Sequence, residues 1–364
     1  MIPIQRVIIL SIVSFFAMIF GSSYHIITTL IVFKYSFNIY EISKYSFYFI
    51  TIVYIIMIIS LYSHPDFFNK LYYLFFLLMA FYINLLFSSL IFYLFYFLNM
   101  NFSIFVNFFI YHILGIGSTL IGMYYENKIY FDKVYIHIPD FNGKLTIAHL
   151  TDLHLGAVYG KDFIKKIVSL LQSEEDIDLV VITGDIVDGN RKMTYEMIEP
   201  FNLLTKPIYY VTGNHEDFSY KEDVIQNIEK TNIIHLNNQC IKFKDKINII
   251  GIDYNPNSYN VKEYLKSLVP SNNLPNIFLY HVPIFKVEEL MNFNVNLFLC
   301  GHTHGGQLFP MNVVQYIISP AFEGLYNFRN TNYIYVASGV GTSGPPIRTM
   351  SRAKIGLLYL TNNN

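Results

Sequence analysis

The stretch Leu145–Gly156, LTIAHLTDLHLG, decides how the rest of the chain is read. Leu145–Leu150 is a short apolar run of strand length, and it ends in the polar, glycine-closed segment TDLHLG. The same grammar recurs. Leu179–Thr183 is followed by GDIVD, Ile208–Thr212 by GNHE, Ile277–Tyr280 by HVP and Leu297–Cys300 by GHTHGG, with further runs at Ile247–Ile252 and Tyr333–Ala337. Between the early runs lie helical stripes, Phe163, Ile164, Ile167, Val168 and Leu171 in one, Val224, Ile225 and Ile228 in another. Strands alternating with helices predict a layered α/β domain. In open α/β sheets ligands bind past the carboxyl ends of the strands, so these polar segments are expected to meet on one rim. A domain of about 220 residues can bury a full core.

The residues on that rim are metal ligands by type. Asp152 and His154 stand two apart, so at a strand end both side chains point the same way and can grip one ion. Gly184 gives the chain freedom to turn before Asp185 and lets a ligand approach the backbone. Asn214 offers an amide oxygen beside His215, His281 precedes Val282 and Pro283, and His302 with His304 repeats the spacing of two. A single zinc takes four ligands. The seven groups Asp152, His154, Asp185, Asn214, His281, His302 and His304 instead suit two divalent ions about 3.5–4 Å apart, with one carboxylate shared. Imidazole, carboxylate and amide together suit Mn, Fe or Zn. One D-x-H or H-x-H arises often by chance; five such motifs in order, each after a strand, imply a dimetal hydrolase site. His149 alternates with Asp152 along its run, faces the other way and is expected in the core.

Composition adds a second region. Of 364 residues 53% are hydrophobic, 18% aromatic and 14% charged, against about 25% charged in an ordinary soluble domain. The imbalance is concentrated at the start: Met1–Tyr125 carries only Arg6, Lys34, Glu41, Lys44, Asp66 and Lys70 as charged residues. Val7–Phe33, Tyr45–Tyr62, Leu71–Leu98 and Phe102–Tyr124 approach or exceed the roughly 20 apolar residues that cross a bilayer. The first run, with Arg6 ahead of it and Gly21, Ser22 and Ser23 within it, has the outline of a cleaved signal; three further runs favour a retained multi-pass anchor in the cell membrane. His25 and His112 fall inside the first and fourth runs and are expected to be neutral, near a kink or a helix end. With four spans, Arg6, Lys70, Lys128 and Lys133 share one side against Lys34 and Lys44, which places the C-terminal domain in the cytoplasm. Residues 126–142 are expected as an edge strand and linker, and residues 143–364 as the α/β domain.

Lys plus Arg (25) nearly cancel Asp plus Glu (26), which excludes a strongly basic nucleic-acid binder and an acidic disordered chain; no specific nucleic-acid binding is expected. The two cysteines exclude a disulfide scaffold and a thiolate zinc ribbon, leaving Cys300 as core filler and Cys240 partly exposed. Two free thiols are compatible with a reducing compartment.

TDLHLG, GDIVD, GNHE, HVP and GHTHGGQ resemble the calcineurin-like metallophosphoesterase superfamily over roughly Lys144 to Leu360. GGQLFP and YVASGVGTSGPPIR are most similar to its bacterial branch of small, membrane-anchored phosphodiesterases. The resemblance implies a four-layer fold of two central sheets flanked by helices. It implies that Asp152, His154 and His304 hold the first metal, Asn214, His281 and His302 the second, and that Asp185 bridges. In that scheme His215 is left without a metal and is suited to protonate the leaving alkoxide, while Asp188 pairs with it and fixes its tautomer; adjacent Glu216 is the alternative partner. The expected reaction is attack on phosphorus by a metal-bridging hydroxide, with the ions neutralising charge on the phosphoryl oxygens. Gly305 and Gly306 are candidates to admit a phosphate close to backbone N–H groups, and Arg348 to clamp a substrate phosphate.

The leading function is thus a membrane-anchored phosphodiesterase or phosphomonoesterase. Its partners are the lipid bilayer and a phosphorylated substrate, with a lipid-linked one suggested by the tether. One alternative makes the membrane half a transporter or sensor regulated by the phosphoesterase domain; few charged residues line such a path. Another is a protein phosphatase.

Overall fold

A computed structural model of the chain describes residues 48, 52, 65–98, 104–139, 141, 143–189, 192–219, 221–309 and 311–362, with only part of the side chains in its first two long helices. The chain divides into two compact units, Pro3–Tyr125 with Gly344–Thr349, and Glu126–Ser343 with Met350–Asn364.

In the first unit two helices are described, Pro65–Phe97 and Ile104–Glu126. Buried Asn84 donates its Nδ2–H to Thr119 Oγ1 at 2.9 Å, and Thr119 in turn donates to the Gly115 carbonyl. A Cβ at Gly115 would overlap the Leu85 side chain, so the missing side chain is what lets the helices approach. The expected runs Val7–Phe33 and Tyr45–Tyr62 lie outside the described residues apart from residues 48 and 52. Among the described residues no helix is long and apolar enough to cross a membrane.

The second unit contains two six-stranded sheets. The first runs in the order β1-β12-β2-β3-β4-β5, with β1 Ile129–His137, β12 Ala353–Thr361, β2 Lys144–Leu150, β3 Leu179–Thr183, β4 Ile208–Val211 and β5 Ile233–His235. The second runs β10-β11-β9-β8-β7-β6, with β10 Gly324–Phe328, β11 Asn332–Val336, β9 Leu297–Cys300, β8 Asn276–Leu279, β7 Ile247–Gly251 and β6 Gln239–Phe243. β2 through β5 pair in parallel, as do β7, β8, β9 and β11. Parallel strands covered on both faces read as unbroken apolar runs, which is the form of LVVIT in β3 and LFLC in β9.

Side-chain alternation along each strand builds three apolar layers. Ile147, Val181 and Val211 face Ile249, Leu279 and Leu299 between the sheets. On the outer side of the first sheet, Val180 and Ile182 pack against Ile164, Ile167 and Val168 of the helix Lys161–Gln172. On the outer side of the second, Phe278 and Phe298 meet Val261 and Leu265 of the helix Ser258–Leu268. Helix, sheet, sheet, helix is the four-layer order that the resemblance implies. His149 points into the interior as its alternation requires: it is fully buried, its Nε2 lies 2.7 Å from Thr183 Oγ1, and burial pushes its pKa down to about 3.

Replacing Leu299 by Ala should lower the unfolding free energy of the second unit by about 2–5 kcal/mol, because the inter-sheet layer cannot collapse into the space left. Denaturant unfolding followed by intrinsic tyrosine fluorescence measures it. A shift within about 0.5 kcal/mol, as for a surface position, would contradict the packing described.

Candidate metal centre

The loops leaving β2, β3, β8 and β9 are laced together by their own backbones. Asp152 N–H donates to the Gly184 carbonyl (3.1 Å), His154 N–H to the Asp185 carbonyl (3.0 Å) and Gly301 N–H to the His281 carbonyl (2.9 Å). A Cβ on Gly184, whose φ is +87°, would sit 2.6 Å from the Gly213 nitrogen, and one on Gly213 would overlap the Asp185 carboxylate. Glycine at both positions lets the GDIVD and GNHE loops touch.

Among the described residues, Asp152, His154 and His304 bring ligand atoms within 4.8 Å of one another in one cluster, and Asp185, His281 and His302 do so in another; a third group, His154, Asp188 and His215, shares His154 with the first. His304 Nε2 is 3.3 Å from Asp152 Oδ1 and 3.0 Å from His154 Nε2. His281 Nε2 is 3.1 Å from Asp185 Oδ2 and 3.2 Å from His302 Nδ1. Asp185 Oδ2 also lies 3.9 Å from His154 Nε2, so this one carboxylate reaches toward both clusters.

The donor set fits divalent cations. Ring nitrogens facing each other at about 3 Å in a dry interior repel unless a proton or a cation lies between them. Asn214 Oδ1 is buried with no hydrogen-bond partner among the described residues, as a ligand awaiting an ion would be. The second nitrogen of His281 is already committed: Nδ1–H donates to the Thr183 carbonyl at 2.8 Å, which leaves Nε2 as the ligating atom. Burial alone would raise the carboxyls of Asp152 and Asp185, yet the facing imidazoles, His304 and His281 foremost, hold both well below the ordinary carboxylate range. Burial would lower His154 and His281, but the carboxylates override it, pushing His154 up to about 10 (Asp152 and Asp188) and His281 up to about 9 (Asp185). His302 goes the other way, down to about 4, through burial and then the charge of His281.

Five residues, Asp188, Glu216, Gly305, Gly306 and Arg348, sit differently from the sequence expectation. Asp188 meets His215 through its main chain: His215 Nδ1–H donates to the Asp188 carbonyl at 2.8 Å. Its carboxylate lies 3.2 Å from His154 Nδ1 and so orients a ligand. Glu216 does not stand in for Asp188. It is fully buried, and its carboxylate accepts from the backbone N–H groups of Asp185 (3.0 Å), Ile186 (2.6 Å) and Gly213 (2.5 Å). That grip fixes the Asp185 loop against the GNHE turn. Gly305 and Gly306, at φ +55° and +70°, turn their amides inward to the Thr303 hydroxyl and carbonyl, and a Cβ on them would meet Glu323 or the Asn312 backbone. Glycine there serves a crowded turn rather than presenting amides to a phosphate. Arg348 is buried, belongs to the segment grouped with the first unit, and donates its backbone N–H to the Gly122 carbonyl at 3.0 Å.

Sequence reading missed two supports. Val340 and Gly341 donate backbone N–H bonds to the carbonyls of Thr151 and Asp152 at 3.1 and 2.8 Å, holding the first metal loop from beneath. Gly339, at φ +77°, passes so near that a Cβ would lie 2.7 Å from that of Asp152. The glycines of YVASGVG were the available signal.

Residues 145–306 match the family model described as calcineurin-like phosphoesterase. A Helicobacter pylori protein described as an uncharacterized metallophosphoesterase is 34% identical over 247 residues, which is 66% of this chain and 64% of that protein. A Bos taurus protein named transmembrane protein with metallophosphoesterase domain is 31% identical over 63% of this chain and 56% of its own length. An Aquifex aeolicus uncharacterized metallophosphoesterase is 29% identical over 64% of this chain and 94% of its own. The chain thus spans somewhat under two thirds of the first two relatives' lengths.

Because the facing carboxylates raise His154 and His281 without metal, divalent ions compete with protons for these rings, and affinity should weaken as pH falls from 8 to 6. Calorimetric titration with Mn²⁺ in buffers of different ionisation heat should register that release; a binding heat independent of buffer would contradict it. Glu216→Ala strands several buried N–H donors at about 1–3 kcal/mol each, and should weaken metal binding together with stability, whereas a stable variant with unchanged affinity would refute its grip on the Asp185 loop.

Proposed function

We propose that this chain, which carries a calcineurin-like metallophosphoesterase domain, is a membrane-anchored hydrolase of phosphoric esters. The observation that carries the reading is Asp185: one carboxylate reaching toward both imidazole clusters is the arrangement that two neighbouring cations require. When bound, such cations supply a solvent nucleophile acidified toward neutral pH and neutralise charge on the phosphoryl oxygens.

The chain's own groups divide the remaining work. Asp152, His154 and His304 would hold one ion, Asn214, His281 and His302 the other, and Asp185 would serve both. His215 delivers the proton to the departing oxygen. In support, its Nδ1–H is fixed on the Asp188 carbonyl, which turns Nε2 toward Asp185 Oδ2, 3.9 Å away, and its ring keeps some access to solvent. Asp188 serves His215 through that carbonyl and His154 through its carboxylate.

Anchoring by residues 1–125 is supported by the six charged residues in that segment and by the name of the Bos taurus relative. The buried Asn84–Thr119 pair beside Gly115 is also of the kind that joins helices in lipid. The cytoplasmic side is supported by Arg6, Lys70, Lys128 and Lys133 against Lys34 and Lys44. A tethered active site suits a phosphodiester or phosphomonoester borne on a lipid.

Hydrolysis of a chromogenic phosphodiester by the detergent-solubilised chain should depend on Mn²⁺ and be abolished by chelation; activity that survives thorough chelation would sink the reading. His215→Ala should slow turnover by about 10²–10⁴ while two metals per chain remain. Metal lost alongside activity would refute the proton-donor role. Asp185→Asn should remove both ions.

A further inference from the structure

We propose that the helix Met311–Ile318 is a bilayer-contacting surface beside the metal cluster, through which the phosphoesterase domain meets lipid-borne phosphoesters. The proposal rests on the membrane-anchored reading above and names what one face of the domain touches.

The segment Gly305–Phe322, GGQLFPMNVVQYIISPAF, follows directly on His304 and contains no Asp, Glu, Lys or Arg. Its helix buries none of its residues. Met311, Val313, Val314, Tyr316, Ile317 and Ile318 are between 41% and 74% exposed. A surface helix of a soluble domain turns its apolar stripe to the core. The helix Lys161–Gln172 of this domain does so, with Ile164, Ile167, Val168 and Leu171 all buried. Met311–Ile318 does the reverse, and only Asn312 and Gln315 break its apolar surface before Ser319.

The helix is also tied to the metal loop. Asn312 N–H donates to the Leu308 carbonyl at 3.3 Å, and the Asn312 backbone fills the space that a side chain on Gly306 would need. Gln307 binds Ser343 in both directions, Nε2–H to its carbonyl at 3.2 Å and Oε1 from its N–H at 3.1 Å. A partner seated on this helix therefore sits a few residues from the ligand His304.

Charge argues for lipid as that partner. The exposed helix Met311–Ile318, with no ionised group, offers a protein partner no ion pair for register or orientation, whereas it matches the interfacial and acyl region of a membrane, with amphipathic Tyr316 of the type found at that boundary. The same chain holds 125 residues with six charges at its start, so a bilayer is the phase this domain would meet first.

The test places a fluorophore on Ile317→Cys of the full chain, in a Cys240→Ser background; Cys300 is buried and stays unlabelled. The protein is reconstituted into phosphatidylcholine–phosphatidylglycerol vesicles whose phosphatidylcholine carries a nitroxide on the acyl chain. Emission from position 317 should fall at least about twofold, and emission from a control probe at Lys266→Cys, on the helix Ser258–Leu268, should not. Val314→Cys repeats the measurement at a second site. Equal quenching at 317 and 266, no quenching at 317 and 314, or a disulfide-linked dimer through 317 would overturn the proposal. Chain that floats with the vesicles yet is unquenched at 317 overturns this inference and leaves the anchor standing; chain that does not float overturns both. The readout needs no turnover, so an inactive but quenched preparation counts against the hydrolase reading alone.

Discussion

Two carboxylates withdrawn from water, Asp152 and Asp185, impose the constraint that the rest of the structure answers. An ionised carboxylate in a dry interior costs several kcal/mol unless opposite charge surrounds it. Here the surroundings are imidazoles from four separate loops, those after β2, β4, β8 and β9, and imidazole can meet a carboxylate's demand only as a proton carrier or as a fellow ligand of a cation. Protons satisfy the metal-free protein, as the raised His154 and His281 indicate; a pair of divalent ions satisfies all seven groups at once, Asn214 included.

Bringing those groups together bends the chain. Asp152, His154, Asp185, His302 and His304 all adopt positive φ, a left-handed conformation costing of order 1–3 kcal/mol for a residue with a side chain. Such strain persists only where neighbours over-determine it. Glu216 accepts four backbone hydrogen bonds from the GDIVD and GNHE turns, and the Val340–Gly341 amides hold the DLH turn. Beneath them the inter-sheet layer of Ile147, Val181, Leu279 and Leu299 fixes the strand ends from which the loops depart.

Much of this was legible in the residues because parallel strands with both faces covered must be continuously apolar. β3, β8 and β9 could be read within a residue or so for that reason. β12 escaped notice although it lies inside the first sheet, between β1 and β2. Lys354 and Gly356 interrupt its pattern, and Gly356 is needed where a Cβ would press 2.8 Å from the Tyr335 ring. β5, β6 and β10 are short or half-exposed and lack a strong period. At the site, ligand types and spacing announced the metal residues, but Glu216 and the carboxylate of Asp188 could not be assigned from adjacency, since their partners are backbone amides and a ring nitrogen brought in from other loops.

The central claim is a pair of cations gathered by Asp185. Anomalous diffraction at the manganese edge, from crystals grown with Mn²⁺, tests it most directly. The account predicts two peaks about 3.5–4 Å apart, one among Asp152, His154 and His304 and the other among Asn214, His281 and His302, with the Asp185 carboxylate between them. A single peak, or peaks that leave Asp185 uncoordinated, would contradict it.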